Sequence, residues 1–358
     1  MLYRTAGQFK TSYRADQALF PVRQDAVLLG ILLALAWVVL PLAASEFTFQ
    51  TLLIPILIYS LAALGLNILT GYAGQLSLGT GAFMGVGAYA CYKLVTIFPW
   101  LNPIVAILLS GVFSAGIGVA FGIPSLRIKG FYLAIATLAA QFFLVWLFEK
   151  WPWLYNYNAS GAIQVPNLDV GPVLVAGPLA ESVTQYYVVL AIVTLLTMVC
   201  INLTRGKLGR MWKATRDMDI AAELIGINLM TSKLLAFAVS SYIVGVAGAL
   251  FVFLWRGAAE PNLFDIALSF QILFIAIIGG LGSILGNFLG AVLIVGLPVV
   301  LNSVPELVGL DIKSATLEHI NVMIVGALII FFLIIEPHGL ARLWGLIREK
   351  LMVWPFPH

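Results

Sequence analysis

The sequence predicts an all-α polytopic membrane protein with about ten transmembrane helices and glycine-rich breaks, and three observations support this fold class. The chain of 358 residues is 61% apolar and only 10% charged, whereas soluble domains carry about 25% charged residues. Its apolar residues fall in runs of about 20, the length that a helix needs to cross the hydrocarbon core of a bilayer. The runs lack the alternation of apolar and polar residues that is typical of membrane β-barrels.

Ten apolar runs approach or reach the length of a membrane span. They cover residues 26–44, 47–69, 81–98, 103–124, 131–148, 185–203, 233–254, 265–281, 287–304 and 318–335. The transmembrane region is therefore predicted over residues 26–335, between a leader of residues 1–25 and a tail of residues 336–358. A polar leader of this length is long for the charged start of a signal peptide, so the first span is predicted to be uncleaved.

The placement of lysine and arginine predicts the orientation. With the N-terminus in the cytoplasm, fifteen of the nineteen Lys and Arg residues fall in cytoplasmic segments. The four on the outer side are Lys93, Lys150, Arg256 and Lys313. This distribution follows the positive-inside rule and predicts an even number of spans with both termini cytoplasmic. The net charge of +3 reflects the same bias and gives no reason to expect nucleic-acid binding.

Residues 150–184 form the longest predicted outer loop. The loop begins with Trp151, Trp153, Tyr155 and Tyr157, side chains that suit a membrane interface. Its remainder is rich in Gly, Pro and Val and is able to pair as a short hairpin. The sequence leaves two interpretations open, a surface that receives a soluble partner and a cap that closes the outer face.

Residues 204–232 form the longest predicted cytoplasmic loop, and the segment 214–226, ATRDMDIAAELIG, is predicted to be one short helix. Ile220 and Leu224 are i,i+4 neighbours on one of its faces, and Gly226 is suited to end the helix. The charged residues that keep the segment in water are Arg216, Asp217, Asp219 and Glu223. From the residues alone, a solvated connector and a docking helix both remain open.

The sequence shows no constellation for catalysis, metal binding or nucleotide binding. Its histidines, His319, His338 and His358, lack Cys or His neighbours at the spacing of metal ligands. Residues 74–80, GQLSLGT, begin like a phosphate-binding loop but lack the required Gly-Lys. No cofactor is therefore expected in this chain, and ATP would have to bind to another subunit. Charge inside the spans is limited to Lys93, predicted to snorkel to the outer surface, which disfavours an ion-coupled carrier.

Two glycine breaks interrupt the apolar pattern, and each is too polar or too flexible for a helix that faces lipid. Irregular backbone near membrane depth is tolerated only against protein or a water-filled cavity. The breaks are therefore predicted to line a substrate path, with the candidate residues Gly71, Gly74, Gln75, Ser77, Thr80, Gly279, Gly280, Gly282 and Ser283. Small residues at every fourth position, Gly282, Gly286 and Gly290, are predicted to hold one helix closely against another.

Five blocks occur in an order that resembles the LivM-type permeases of ABC importers for branched-chain amino acids. They are GYAGQLSLGTGAFMGVGAY (71–89), FGIPSLRIKGFYLAIATLA (121–139), GKLGRMWKATRDMDIAAELIGIN (206–228), KLLAFAVSSYIVGVAGAL (233–250) and GGLGSILGNFLGA (279–291). The resemblance runs from about residue 47 to Gly339 and so covers most of the chain.

The resemblance implies a transport subunit, not an enzyme, in a bacterial cytoplasmic (inner) membrane. Such a permease works with a second, related permease, with two ATPase subunits that bind ATP and Mg, and with a substrate-binding protein outside the membrane. It also implies that residues 209–226 dock into a groove of an ATPase. The residues assigned to this coupling by resemblance are Arg210, Arg216, Asp217, Asp219, Ile220, Glu223, Leu224 and Gly226.

Two departures from the family pattern bear on the substrate. Thr80 stands where the family often has His, and Ala159-Ser160-Gly161-Ala162 stands where it commonly has Thr-Gly-Gly. The leading prediction is a path for branched-chain or other hydrophobic amino acids. The alternatives are a permease for urea or short amides, and a stand-alone secondary carrier.

Overall fold

The structure is a computed structural model that describes residues 11–12, 23–126, 132–171, 173–308, 314–335 and 339–353. Most of the predicted leader, the basic pair Arg127 and Lys129, and parts of the tail lie outside the described residues. The helices are α1 (Arg23–Ala34), α2 (Leu40–Ala43), α3 (Glu46–Thr48), α4 (Ile54–Asn67), α5 (Thr80–Ile97), α6 (Pro103–Leu126), α7 (Tyr132–Lys150), α8 (Ser182–Arg205), α9 (Lys207–Asp217), α10 (Asp219–Leu224), α11 (Leu229–Phe251), α12 (Ile266–Gly279), α13 (Ile284–Val308), α14 (Ser314–Ile335) and α15 (Leu340–Val353).

Short π-helical turns lengthen several of these helices. They are Leu35–Val39, Phe49–Leu53, Ile68–Tyr72 and Val252–Arg256. The first two directly precede helices that carry a proline at their start, Pro41 in α2 and Pro55 in α4. Because proline has no backbone N–H and its ring crowds the preceding turn, the helix widens there and continues without a break in direction.

Eight helical segments among the described residues are long and apolar enough to cross a membrane. They are Ala26–Ala43, Glu46–Tyr72, Pro103–Pro124, Leu133–Lys150, Ser182–Arg205, Leu229–Arg256, Pro261–Gly279 and Ile284–Leu301. The fold class is thus confirmed, but the count of ten is not. The predicted span 81–98 falls in α5, whose tyrosines and Lys93 lower its hydropathy, and the predicted span 318–335 contains only the shorter apolar segment Val322–Phe332.

The core of the bundle lies around α11 and α4. In the most apolar stretch of the span that contains α11, 83% of the residues are buried, and in that of the span that contains α4, 78% are. In the first span, none of the corresponding residues is buried. Helix α11 packs on α4, α5 and α6. It approaches α5 so closely that a Cβ at Gly248 would overlap the backbone of Met84. Glycine at the crossing therefore permits the tight packing on which bundles in lipid depend.

The first span lies at the edge of the bundle and is held by two tyrosine hydroxyls of α8. Tyr186 donates to the carbonyl of Ala36 at 2.9 Å, and Tyr187 donates to the carbonyl of Trp37 at 3.4 Å. Both carbonyls belong to the π-helical turn Leu35–Val39, where the wider helix leaves backbone acceptors free to bond with side chains. The apolar surface that the first span exposes suits contact with lipid or with another membrane subunit.

One end of the bundle carries short strands. β1 (Ile163–Gln164) pairs antiparallel with β4 (Ala258–Ala259), and β2 (Leu168–Val170) forms a hairpin with β3 (Val173–Ala176). The hairpin that the sequence suggested for the loop 150–184 is therefore present. Because β1 and β4 come from different loops, their pairing ties the two loops together at this end, here called the strand end.

Lys93 lies beneath the strand end and does not snorkel into water as predicted. Its side chain is only 8% exposed. The ammonium donates to the Asn156 side chain and lies 4.2 Å from the centre of the Trp153 ring. Asn156 also donates to the Tyr92 hydroxyl at 3.2 Å. The loop over α5 thus replaces water around the charge with a hydrogen bond and a cation–π contact.

Helix α8 runs from the strand end to the opposite end of the bundle, and α11 returns to the strand end. Helices α9 and α10 connect the two at that opposite end. This opposite end, here called the coupling end, also holds both glycine breaks. The predicted coupling and path residues are therefore found largely in one region of the bundle.

Candidate functional site

The predicted short helix is in fact two helices that meet at Met218. Helix α9 ends at Asp217, Met218 is extended with φ −158° and ψ 96°, and α10 begins at Asp219. The Asp219 carboxylate accepts from the N–H of Ile220 at 2.9 Å at the start of α10. Gly226, with φ of +88°, follows the end of α10 as the sequence predicted. The break turns α10 away from the direction of α9.

Helix α9 is fixed to the bundle. The Trp212 side chain is fully buried, and its Nε1 donates to the carbonyl of Ser232 at 3.1 Å. The hydroxyls of Thr215 and Ser232 lie 3.1 Å apart and share a hydrogen bond. Because Ser232 belongs to the first turn of α11, these contacts join α9 to the central helix of the fold.

Helix α10 and the residues that flank it, Met218 and Ile225, instead present apolar side chains to the surroundings. The exposed fractions are 70% for Met218, 70% for Ile220, 84% for Leu224 and 74% for Ile225. These four residues are called the apolar patch below. Apolar groups of this size, clustered and surrounded by charge, mark a surface that binds a partner. Sequence reasoning found Ile220 and Leu224 but missed Met218 and Ile225, because it assumed one continuous helix.

The remaining residues assigned to coupling divide between the two helices. Arg210 is exposed on α9, and Glu223 is exposed on α10. Asp219 lies 3.9 Å from Lys233 of α11, a loose ion pair at the surface. Such an exposed pair contributes at most about 1 kcal/mol, so α10 is held to the bundle mainly by the buried Ala222.

Both glycine breaks are present, but their bounds differ from those of the predicted residues. The first unwound stretch is 73–79, between the π-helical turn and α5, and the second is 280–283, between α12 and α13. Gly71, Thr80 and Gly279 therefore lie on flanking helical residues. Gly282, predicted as the first member of a helical row, lies in the unwound stretch with φ of +83°.

Asn67 joins the end of α4 to the second break. Its Oδ1 accepts from the N–H of Gly282 at 2.7 Å, and its Nδ2 donates to the carbonyl of Ser283 at 3.0 Å. The same Nδ2 donates to Oδ1 of Asn287 at 3.0 Å. Sequence reasoning missed both asparagines because it considered only charged residues within spans. An amide in an apolar span was the available signal, since a buried amide needs partners.

Arg216 connects the coupling residues to the path residues. Its Nη1 donates to the carbonyl of Gly71 at 2.7 Å. Its Nε and Nη2 face Asp217 Oδ1, at 2.9 and 2.8 Å. Lys213, one turn earlier on α9, lies 5.6 Å from the centre of the Tyr72 ring. Two cations of α9 therefore contact the end of the π-helical turn that precedes the first break.

The far end of the first break enters the bundle, where Ser77 and Thr80 are buried. The first free N–H groups of α5 are taken by side chains of other helices. Gly81 donates to Ser269 Oγ at 2.8 Å, and Ala82 donates to Gln141 Oε1 at 2.8 Å. A helix start in a bundle interior needs such acceptors, so Gln141 and Ser269 fix where α5 begins.

Gln141 has every polar atom of its side chain engaged. Its Oε1 also accepts from Ser269 at 2.9 Å, and its Nε2 donates to the carbonyl of Phe264 at 2.6 Å. Nearer the coupling end, three buried side-chain atoms have no hydrogen-bond partner within the described part of the chain. They are Gln75 Oε1, Thr70 Oγ1 and Asn287 Nδ2. Unpaired buried polar atoms are uncommon, and three of those in the described part of the chain lie in or beside the breaks.

Comparison with known proteins places the chain among transport permeases. Residues 48–333 match the family described as branched-chain amino acid transport system, permease component. The chain is 30% identical to the high-affinity branched-chain amino acid transport system permease protein LivM of Escherichia coli K12, over 89% of this chain and 75% of that protein.

Two further relatives agree. A probable LivM permease of Methanocaldococcus jannaschii is 24% identical, over 83% of this chain and 92% of that protein. The LivH permease of Escherichia coli K12 is 25% identical, over 68% of this chain and 82% of that protein. No solved structure is significantly similar to the chain. The chain therefore belongs to the family of permease components of branched-chain amino acid transport systems, and it is a transport subunit and not an enzyme.

Proposed function

We propose that the chain is one of two permease subunits of an ABC importer for branched-chain amino acids. It lies in a bacterial cytoplasmic membrane with both termini in the cytoplasm. Two ATPase subunits bind ATP and Mg on the cytoplasmic side, and a substrate-binding protein delivers the amino acid outside. Similarity to both LivM and LivH, two permeases named for one kind of transport system, supports pairing with a related subunit.

The observation that carries this proposal is the apolar patch on α10. Its side chains lie outside the bundle on a short helix, with Arg210 and Glu223 exposed nearby. A helix of this kind binds by inserting apolar anchors into a groove, and its charged residues form the rim. The loop is rich in basic residues, which supports a cytoplasmic position by the positive-inside rule. A cytoplasmic ATPase is therefore the partner proposed for this surface.

The joined glycine breaks are proposed to line the path of the amino acid. A zwitterion needs an acceptor for its ammonium and a donor for its carboxylate. Gln75 Oε1 and Asn287 Nδ2 supply one of each without a competing protein partner. The relatives reported above are all named for branched-chain amino acids, so urea, short amides and a stand-alone carrier are not favoured.

The test is substrate uptake by the assembled complex in proteoliposomes, with L-leucine as the probe. Leu224→Asp places a charge in the apolar patch and leaves the spans untouched. Loss of a buried anchor typically costs an interface about 2 kcal/mol or more. We therefore expect leucine uptake to fall at least about tenfold, with a matching loss of ATPase subunits from the purified complex.

Asn202→Asp is the matched control, because Asn202 is exposed near the end of α8 and lies outside the patch. It adds the same charge at the same end of the bundle, and its uptake should equal that of the wild type. Normal uptake and assembly of Leu224→Asp would show that α10 is only a connector. A wild-type complex that does not take up leucine would contradict the proposed substrate.

A further inference from the structure

We infer that Arg216 is the positioning residue that transmits movement between the ATPase-docking helices and the two glycine breaks. The inference rests on the proposed function, because it assumes that α10 docks an ATPase and that the breaks line the path. It assigns the transmission to one guanidinium group and its contact with Gly71.

The orientation of the guanidinium is set by Asp217. This neighbouring carboxylate takes the Nε and Nη2 sides of the planar group, at 2.9 and 2.8 Å. The Nη1 group, on the other side of the plane, donates to the carbonyl of Gly71 at 2.7 Å. Arginine is suited to such an arrangement because its donors are fixed in one plane and point in different directions. A lysine ammonium cannot hold both partners in this geometry.

The acceptor is a carbonyl at the end of a helical segment. Gly71 is the penultimate residue of the π-helical turn Ile68–Tyr72, and the following N–H groups bond further back. Ala73 donates to Ile68, and Gln75 donates to Leu69. Helix ends leave carbonyls without backbone partners, and a cation placed there also interacts favourably with the helix dipole. Arg216 thus stabilises the point where the first break begins.

The stem of Arg216 also fits closely over the first break. Gly74 has φ of +70°, and a Cβ at this position would lie 2.7 Å from Cγ of Arg216. Two independent restraints, the left-handed backbone and the contact with the arginine stem, therefore require glycine there. Arg216 and the start of the first break are therefore in close contact in this structure.

The second break meets the same side chain. A Cβ built on Gly282 would lie at ordinary contact distance, 3.7 Å, from both Nη1 of Arg216 and the Gly71 carbonyl oxygen, whereas a Cβ built on Gly71 would overlap the N atom of Gly282. The N–H of Gly282 is held by Asn67, at 2.7 Å. Arg216 therefore lies where the two breaks converge, and a shift of its guanidinium acts on both.

On its other side, Arg216 adjoins the docking helix. Only Asp217 and the extended Met218 separate it from α10, while Trp212 and Thr215 fix α9 to Ser232. A displacement of α10 by its partner therefore bends the chain at Met218 and reaches Asp217 first. Because Asp217 orients the guanidinium, this displacement changes the Arg216–Gly71 contact before it affects the anchored part of α9.

The experiment uses the complete complex in proteoliposomes with the variants Arg216→Gln and Arg216→Lys. Coupling between sites is commonly 5- to 150-fold, so Arg216→Gln should lower leucine uptake at least about tenfold. Stimulation of ATPase activity by the leucine-loaded binding protein should fall by a larger factor than basal ATPase activity does. Leucine uptake by the Arg216→Lys complex should lie between that of the wild type and that of Arg216→Gln.

Lys207→Gln is the control for loss of one positive charge, because Lys207 is exposed on the first turn of α9. It should behave as the wild type. Wild-type uptake and ATPase stimulation in Arg216→Gln would overturn the inference. Equal loss of basal and stimulated activity would also overturn it, because that result indicates a general structural role. A wild-type complex without leucine uptake would instead contradict the proposed function.

Hydrogen exchange gives a second readout that does not depend on uptake. In the wild-type complex, ATP binding should change the exchange of amides 71–79 and 280–283. In Arg216→Lys, which keeps the charge, the change should be reduced although the complex remains assembled. An undiminished change in this variant would overturn the inference even if Arg216→Gln assembles poorly.

Discussion

Gly279 and Gly286 face each other at the second glycine break, so that each α-carbon lies against the backbone carbonyl of the other residue. The contact joins the end of α12 to the start of α13. A Cβ at Gly290, one turn further along α13, would lie 3.0 Å from the N atom of Gly279. The predicted close approach of one helix to another is therefore present, with Gly286 and Gly290 as its helical members.

Substitution of Gly286 by alanine should destabilise the protein. The added Cβ would overlap backbone and not a flexible side chain, so the two helices must separate. Overpacking of this kind typically costs about 1–3 kcal/mol. The measurement is the midpoint of thermal unfolding in detergent, which should fall by several degrees.

Gly296→Ala is the matched control on the same helix, because a Cβ at Gly296 meets nothing within 4 Å. Alanine is the better helix former by about 0.5–1 kcal/mol, so this variant should be unchanged or slightly more stable. Equal midpoints for the two variants would mean that α12 and α13 do not depend on the contact.

Asn67→Ala should also destabilise the protein, by loosening the second break from the end of α4. The substitution leaves the N–H of Gly282 and the carbonyl of Ser283 without their side-chain partner. An unpaired buried polar group costs about 1–3 kcal/mol. Thermal unfolding measures the loss, and hydrogen exchange at Gly282 should accelerate.

Thr96→Val provides the comparison, because the Thr96 hydroxyl donates only to its own helix, at 2.9 Å from the Tyr92 carbonyl. The substitution removes a hydrogen bond within one helix and leaves the contacts between helices intact. It should therefore lower the unfolding midpoint less than Asn67→Ala does. If both variants unfold at the same temperature, Asn67 does not hold the second break to α4.

Lys93→Met should loosen the strand end without unfolding the bundle. The methionine keeps the apolar stem but loses the contacts with Asn156 and the Trp153 ring. Those contacts restrain a turn in which Asn156 and Tyr157 have φ of 52° and 56°, which is strained for residues other than glycine. Chymotrypsin should therefore cleave the loop faster, while the unfolding midpoint changes little because burial of the charge is no longer required.

Lys150→Met is the control, since it removes a charge from the same end but from an exposed side chain. Its cleavage rate should match the wild type. An unchanged cleavage rate in Lys93→Met would mean that other contacts hold the loop.

Most of the spans were predictable because an apolar run of membrane length is a local property of the sequence, although the structure has eight such helical segments among the described residues and not ten. The end of α10 at Gly226 was predictable for the same reason, since glycine tolerates the left-handed backbone there. The break at Met218 was not predictable, because neither Met218 nor Asp217 is a strong helix breaker. It arises where α9, anchored through Trp212, gives way to a helix with few contacts to the bundle.

The composition of the candidate site was only partly predictable. Its glycines carry a sequence signal, but the contact between α4 and the second break depends on Asn67 and Gly282, which are 215 residues apart. The Arg216–Gly71 hydrogen bond spans 145 residues. Contacts of this range follow from tertiary packing, so the sequence suggested both groups of residues without showing that they touch.

The last prediction concerns orientation, and the chain is well suited to test it by cysteine labelling. Both native cysteines, Cys91 and Cys200, are free and fully buried, so they should react little with a maleimide that does not cross membranes. Leu179, 75% exposed at the strand end, and Leu224, 84% exposed at the coupling end, are replaced singly by cysteine. On intact cells Leu179→Cys should be labelled, whereas Leu224→Cys should be labelled only after the membrane is opened. The reverse pattern would contradict the proposed orientation.

In opened membranes, addition of the ATPase subunits should protect Leu224→Cys, because the apolar patch becomes buried on docking, and should leave Lys207→Cys on α9 accessible. If the ATPase subunits change the labelling of neither Leu224→Cys nor Lys207→Cys, the docking surface lies elsewhere on the chain.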